Sequence, residues 1–435
     1  MGRERVAVVG AGISGLATAW LLRYRYNVTL FEAGSYLGGH TNTVDVSLEG
    51  RTHPVDTGFL VFNDRTYPNL VALFMLLGVE STESEMSFSV SLEEPRLEWA
   101  GSNLATVFGQ KRNLFRRPFW AMLSDILRFN RESAAWLTTH PDEQRSLRDF
   151  LEEGRYSRSF SDWYLLPMAA AIWSCPTGQM LDMPLATFVR FCQNHGLLQI
   201  FDRPKWRTVS GGGREYVTRI AEALDDVRLA CPVASVSRDG DWLRVGHALG
   251  SECFNHVVMA CHGDQAKTIL GSTASEGQRE VLAAIRYQHN RAVLHTDPAL
   301  LPRERRLWSA WNYFAGAGRA DGQPVGVSYL INRLQPLPFK APVVVTLNPV
   351  REPDHAKVIA QFDYAHPIFD GPAIAAQQRL DAVQGEGGIW LAGAWGRYGF
   401  HEDGLVSAVN VANRLGVRAP WQGSAAHPQR AVAVA

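Results

Sequence analysis

At 435 residues the chain is long enough for two or three domains with cores of their own. Its 43 basic residues balance 43 acidic ones, which excludes a global field drawing it to nucleic acid or anionic lipid, so any such attraction has to be local. Five cysteines (175, 192, 231, 253 and 261) without CxxC or metal-type spacing exclude a disulfide framework and a metal centre; with no leader-like start and no apolar run near the ~20 residues a bilayer span needs, the expectation is a cytoplasmic protein with reduced thiols.

The first element is an apolar run, Val6 to Val9, that turns through Gly10-Ala11-Gly12-Ile13-Ser14-Gly15 into a helical stretch. A second apolar run ends at Glu32-Ala33, with Glu32 lying 22 residues past Gly10. This is the sequence form of a dinucleotide-binding βαβ unit. Gly10 permits the tight turn, Gly12 lets backbone amides approach a pyrophosphate, and Gly15 lets helix and strand pack closely. The helix start, with Ile13 and Ser14, turns its partial positive charge to the phosphates. Glu32 accepts the adenosine ribose hydroxyls and disfavours a 2′-phosphate. The continuation Gly38-Gly39-His40-Thr41 resembles the extended fingerprint of glutathione-reductase-like flavoproteins, which implies FAD rather than a nicotinamide cofactor.

Residues 1–75 thus form the first part of an FAD-binding domain, in which the apolar stretch 70–79 is a core helix closed by Gly78. Residues 80–195 read as helix-patterned and rich in aromatic and basic residues, with turns at Gly154, Pro167, Pro176 and Pro184. Strand-like runs return at 227–229, 233–237, 242–245 and 256–260, so 200–265 is expected to rejoin the nucleotide domain, with Val233 among the cofactor contacts. Residues 266–384 alternate short strands (292–295, 326–330, 342–347) with proline turns, as an antiparallel substrate-domain sheet would. A strand at 389–393 and a helix at 405–415 complete the FAD domain (385–418). The tail 419–435 is expected to be disordered.

The last strand and last helix are joined by Gly393-Ala394-Trp395-Gly396-Arg397-Tyr398-Gly399-Phe400-His401-Glu402-Asp403-Gly404-Leu405-Val406. In a flavoprotein this junction passes beside the isoalloxazine ring, and the helix start, with Glu402, Gly404, Leu405 and Val406, aims amides at the N1 and C2 carbonyl edge. Trp395, Tyr398 and Phe400 are expected to wall the reaction site.

Taken together, these motifs resemble the flavin-containing amine oxidoreductase superfamily. The fold this implies is α/β, a discontinuous glutathione-reductase-like Rossmann domain with an inserted α+β substrate domain. Five blocks narrow the likeness: 56–63 (DTGFLVFN), 85–90 (EMSFSV), 171–176 (AIWSCP), 194–198 (NHGLL) and 399–404 (GFHEDG). They are similar to bacterial flavoproteins associated with cyclopropane-synthase-type fatty acid methyltransferases, and to the N-terminal flavoprotein domain of plant cyclopropane fatty acid synthases. Two departures stand out. His40 replaces the arginine that many amine oxidases carry after the glycine pair, and no cysteine lies near the C-terminal motif, so FAD is expected to be noncovalent.

The resemblance implies a lipid acyl substrate, and in the bacterial branch desaturation of methyl-branched unsaturated phospholipid chains, with a fatty acid methyltransferase as a possible partner and no role for nucleic acid. A flavin takes a hydride from an allylic carbon while a base takes the proton; His195 and His401, with Tyr398 behind them, are the candidates. Residues 112–131 place five arginines around an apolar stripe, the pattern of a helix lying on the inner face of a membrane. Two alternatives stay open. One is an amine oxidase using Lys267 or Lys340 near the flavin; the other is a non-catalytic flavoprotein partner of a methyltransferase.

Overall fold

The structure, a computed structural model, describes residues 2–140, 145–173, 177–199, 203–316 and 326–423. Its nucleotide end is a five-stranded parallel sheet in the order Asp226–Arg228, Asn27–Phe31, Arg5–Val9, His256–Met259 and Ile389–Leu391. Strands from three distant stretches meet: residues 6–9, 30–31, 257–259 and 389–391 are apolar and buried, as the inside of a parallel sheet requires, while Asp226–Arg228 is a half-buried edge. The order reverses at Arg5–Val9, and the crevice beyond its carboxyl end is where such sheets bind ligands. The helix Ile13–Leu22 packs on the helix His401–Arg414 across a core holding Val6, Val8, Leu16, Leu30, Val258 and Leu405. A three-stranded antiparallel sheet (Val233–Asp239, Trp242–His247, Gly250–Phe254) closes the other face.

The second body is a seven-stranded sheet, ordered Val358–Pro367, Tyr287–His295, Val344–Leu347, Gly326–Leu330, Trp311–Ala315, Phe88–Leu92 and Leu97–Ala100. All its pairs are antiparallel except Trp311–Ala315 with Phe88–Leu92. This corrects the helical reading of the start of 80–195, where Ser81–Glu83, Phe88–Leu92 and Leu97–Ala100 are strands. The period-two alternation of Phe88-Ser89-Val90-Ser91-Leu92 is the local signal, and the partner strand that completes it lies more than 200 residues on. Within 1–75, Val46, Val55, Leu60 and Val61 pack in this second core rather than in the nucleotide core. Helices from Arg117–Thr139 to Leu185–Asn194 enclose a fourth cluster rich in phenylalanine.

The tail also needs correction at its start. Ala419 and Trp421 are buried, and the Trp421 indole donates to Asn69 at 2.8 Å, so 419–423 is packed; 424–435 lies outside the described residues.

Candidate active site

The opening glycines do three different jobs. A Cβ on Gly10 would sit 2.8 Å from the Ala260 carbonyl oxygen, and φ there is +102°. One on Gly15 would sit 1.8 Å from the Gly10 carbonyl oxygen. Gly12, the residue that starts the helix, has φ −70° and nothing within 4 Å of where a Cβ would be. Its bareness answers no demand of the protein's own packing and leaves an open cradle in front of the helix. The amides of Ile13, Ser14 and Gly15 have no intrahelical partner there. The Gly38-Gly39 turn closes on this loop, with the Gly38 N–H donating to Ala11 O at 2.8 Å and a bridge between Gly12 and Gly38.

Glu32 is fixed by two backbone donors, Ala11 N to Oε2 (2.8 Å) and Gly34 N to Oε1 (2.7 Å). Each carboxylate oxygen keeps a further lone pair for a hydroxyl donor. Ala33 is exposed beside it. The turn before Val233 runs along the same edge, as Ala230 N donates to Gly34 O and Cys231 N to Glu32 O, both at 2.8 Å. Val233 itself is buried. This donor set, with the bare Gly12 and the oriented carboxylate, fits the pyrophosphate and ribose of FAD.

His40 stands where the superfamily usually has arginine. Its Nε2 is buried with no hydrogen-bond partner, and its ring stacks on Tyr364 (5.1 Å between centroids) with His366 at 5.2 Å and His262 at 6.0 Å. Burial, then the neighbouring histidines, holds it well below the ordinary histidine range, so it is neutral at pH 7. An orphaned buried nitrogen beside the phosphate cradle is a group waiting for a partner.

The last helix meets the first head-on. A Cβ on Gly404 would be 2.7 Å from the Ile13 side chain and 2.9 Å from Ser14 Oγ, so only glycine lets the two positive helix ends converge. Ser407 Oγ accepts from Gly393 N at 2.9 Å and donates to Gly404 O at 2.6 Å, tying the strand end to the helix. Leu405 is fully buried in the nucleotide core, and Val406 is half-buried. Glu402 turns away from the cleft. Its Oε1 accepts from Asn69 N (3.0 Å) and Nδ2 (2.7 Å), and its Oε2 from Leu70 N (3.0 Å), capping the helix Pro68–Leu77. The Glu402 side chain is thus a helix cap, and the cofactor contact expected at this position is one for the backbone at the helix start. Asp403 caps its own helix through Phe400 N (3.0 Å). Burial pushes Glu402 up to about 7 and Asp403 to about 6.

The three catalytic candidates separate. His401 lies flat on Phe59 (3.8 Å, 12°), and its Nε2 is engaged by Thr41 Oγ1 (2.9 Å) and Tyr216 OH (2.8 Å), which also bond each other at 2.6 Å. Burial drives it down to about 3. It is a held ring, and Thr41, expected as a cofactor contact, is one of its holders. His195 ends the helix Leu185–Asn194, stacked on Phe191 (4.0 Å) with Phe400 at 5.5 Å and with Tyr67 and Trp206 at 6.3 Å. Its Nδ1 faces the Phe191 carbonyl oxygen at 3.0 Å; since a carbonyl only accepts, Nδ1 carries the proton and Nε2 the lone pair. Burial lowers it to about 4, so it is neutral at pH 7. Tyr398 packs on Phe191 at 6.0 Å in the same aromatic cluster, its hydroxyl pushed up by burial.

Trp395, expected as a wall, is not part of this cluster. It packs in the core behind the nucleotide sheet with Leu391 and Ala376, its indole folded back over Gly393, where a Cβ would be 2.2 Å from Nε1. Trp173 does reach the cluster, 4.5 Å from Phe191, whereas Cys175 lies outside the described residues.

Sequence reading missed Tyr67, Phe191 and Trp206, whose aromatic character had no motif around it. For Asp56 it expects only a structural part, orienting the nucleotide domain or capping a turn, and no catalytic one. That carboxylate is buried and accepts from Thr43 Oγ1 (2.5 Å), Gly213 N (2.9 and 3.1 Å) and Gln335 Nε2 (2.8 Å), pinning three chain segments beneath the cleft. Burial raises it to about 6.

Comparison with known proteins agrees with this architecture. The family model described as flavin containing amine oxidoreductase matches residues 13–295. Amine oxidase [flavin-containing] A of Sus scrofa is 25% identical over 270 residues, covering 59% of this chain and 48% of that protein. Carotenoid phi-ring synthase of Chlorobaculum tepidum is 30% identical over 164 residues, covering 37% and 23%. The chain thus spans about half, or less, of the length of these curated relatives. Among solved structures, the CLA-producing fatty acid isomerase from P. acnes superposes with a TM-score of 0.67 at 13% identity, covering 95% of this chain and 99% of that one. Cyclohexylamine oxidase from Brevibacterium oxydans IH-35A gives 0.65 at 16% identity, covering 95% and 100%. At such identities these two share the fold alone. With the match to its model covering well over half the sequence, the chain belongs to the flavin-containing amine oxidoreductase family, whose members are FAD-dependent oxidoreductases.

Proposed function

We propose that the protein binds FAD noncovalently and desaturates an unsaturated acyl chain, the class being methyl-branched phospholipid acyl groups. The observation that carries this reading is the aromatic cluster around His195, in which Tyr67, Phe191, Trp206, Tyr398 and Phe400 pack about a neutral imidazole. Such side chains bind hydrocarbon and exclude water. Bound FAD supplies a two-electron acceptor for a hydride. His195 then takes the adjacent proton at Nε2, so that the chain loses one hydride and one proton and gains one double bond. His401, Thr41 and Tyr216 hold the start of the last helix in place. The likeness of the 56–63, 194–198 and 399–404 blocks to flavoproteins associated with fatty acid methyltransferases supports the methyl-branched class and such an enzyme as a partner.

The amine-oxidation alternative expects a lysine at the flavin. Of the chain's five lysines, Lys111, Lys205, Lys267 and Lys340 are exposed, and Lys357 is paired with Asp297 at 3.2 Å. None of them is among the cluster residues. Noncovalent binding is supported by the cysteines. Cys192 is buried with its thiol pushed up, and Cys261 lies beside Gly10 at the phosphate end, raised to about 12 by burial. Anaerobic mixing with phospholipid carrying methyl-branched monounsaturated chains should bleach the oxidised flavin band, with loss of two hydrogens by mass spectrometry. Rapid bleaching by simple amines, with none by lipid, overturns the reading.

A further inference from the structure

The segment leading into the long helix Arg117–Thr139 presents large apolar side chains to water. Phe115 is 88% exposed and Leu104 77%, and Leu114 and Trp120 are also exposed. They are not loose. The Trp120 indole donates to Leu114 O at 2.9 Å and packs on Phe108 at 5.3 Å, while buried Asn113 donates to Glu98 O at 3.3 Å. A rigid knuckle therefore holds the apolar tips outward.

Around it stand Arg96, Lys111, Arg112, Arg116 and Arg117, none of which is ion-paired among the described residues. Arg112 and Arg116 both donate to one carbonyl oxygen, that of Arg96, at 2.6 and 3.0 Å. Arg112 repels Arg116 enough to add to the lowering that burial causes there. Arg303 and Arg305 extend the patch, and Arg306 reaches the Gly109 carbonyl; the acids nearby are Glu304, paired with Arg306, the buried Glu98, which accepts from the Arg303 and Glu304 amides, and the exposed Glu93 and Glu94 just before Arg96. In a chain of balanced charge, cations outnumber acids here and ring exposed hydrocarbon.

The rest of the 112–131 stretch does not belong to the patch. Phe119 and Met122 are fully buried, Arg128 pairs with Asp125, and Arg131 pairs with Glu132. From the knuckle the helix runs inward, to Phe129 in the phenylalanine cluster against which Tyr398 and Phe400 pack.

We propose that the knuckle 104–120 docks the protein on an anionic phospholipid surface, Leu104, Leu114 and Phe115 entering the acyl boundary and the five cations meeting headgroup phosphates. A bilayer is the occupant that satisfies both halves of the patch, since a polyanion in solution would pair the cations and leave Phe115 in water. The inference rests on this surface and not on the acyl-substrate reading.

The test is co-sedimentation of the FAD-loaded protein with phosphatidylcholine vesicles with and without phosphatidylglycerol. Binding should require the anionic lipid and fall with added salt. Leu114→Ser/Phe115→Ser and Arg112→Glu/Arg117→Glu should each weaken it by about tenfold or more, with flavin content and melting unchanged. Leu249→Ser, another strongly exposed apolar residue, should have no effect. Failure of the wild type to bind, or equal binding by all variants, overturns the proposal. So does binding that the arginine pair abolishes and the Leu114/Phe115 pair leaves untouched, which would mark a polyanion site. Flavin reduction by detergent-dispersed lipid tests the substrate reading separately.

Discussion

Two helix starts meet at the centre of this molecule, and they are built on opposite principles. The start of Ile13–Leu22 is bare: glycines, no side-chain cap, and an open cradle in front of Gly12. The start of His401–Arg414 is crowded with functional groups, yet those groups serve neighbours. His401 is bound to Thr41 and Tyr216, Glu402 caps another helix, and Asp403 caps its own. The first site works through backbone amides and can be read from a short motif. The second supplies a positive helix end at a place that distant segments define, and its charged side chains are mortar.

The sharpest way to break this contrast is to add a side chain at two glycines three residues apart. Gly15→Ala puts a Cβ into the Gly10 carbonyl oxygen and should cost more than the ~1–3 kcal/mol of ordinary overpacking, leaving little folded protein in a urea melt. A Cβ on Gly12 has no protein atom within 4 Å, so the melt of Gly12→Val should match that of FAD-free wild type while FAD loading, read from the flavin absorbance, is lost. Similar melts for both variants would mean that the cradle is an ordinary packed turn.

The same contrast explains what was legible in the sequence. The parallel strands and the phosphate loop depend on local apolar runs and on glycines with steric duties, so the fold class and the FAD cradle are readable from residues 6–41. The cluster around His195 is readable only in part: Phe191 lies one helical turn before His195, but Trp206 and Tyr67 converge on it from other elements, and no spacing rule links them. The GFHEDG block marks the right place. What its acids do there depends on Asn69 and Leu70, more than 330 residues earlier.

Next in size is the base in that cluster. His195→Ala should keep FAD and slow anaerobic flavin reduction by the ~10²- to 10⁴-fold typical of general base catalysis. His401→Ala should instead lower stability and loosen FAD, since it leaves Thr41 and Tyr216 without their shared partner. The reverse pattern would move the base to His401. Smaller still is Glu402→Ala, which strips the cap from Asn69 and Leu70 and should cost ~1–3 kcal/mol in urea while FAD still binds. Loss of FAD with an unchanged melt would return Glu402 to the cofactor.

The smallest effect expected is that of pH on turnover. With its pKa lowered to about 4, His195 keeps its base form through neutrality and loses it only as pH falls through that value, so single-turnover reduction should be level from roughly pH 6 to 8. An ordinary solvated histidine would give a drop centred near pH 6.5. Stability behaves less simply, because shifts of opposite sign overlap. His195, His366 and His401 have folded values below their unfolded one, so their contribution is lost as pH falls from about 6.5 toward 4. Asp56, Glu402 and Asp403 have raised values, so theirs is present at low pH and is lost as pH rises through about 6 to 7. From about pH 4 to 6.5 the two sets act in opposite directions, which is why the rate and not the melt isolates His195. An inflection near pH 6 that disappears in Asp403→Asn would assign the titration to that acid, which raises the neighbouring Tyr398. One that persists in Asp403→Asn and disappears in His195→Gln would show the imidazole to be solvated, and the cluster with it.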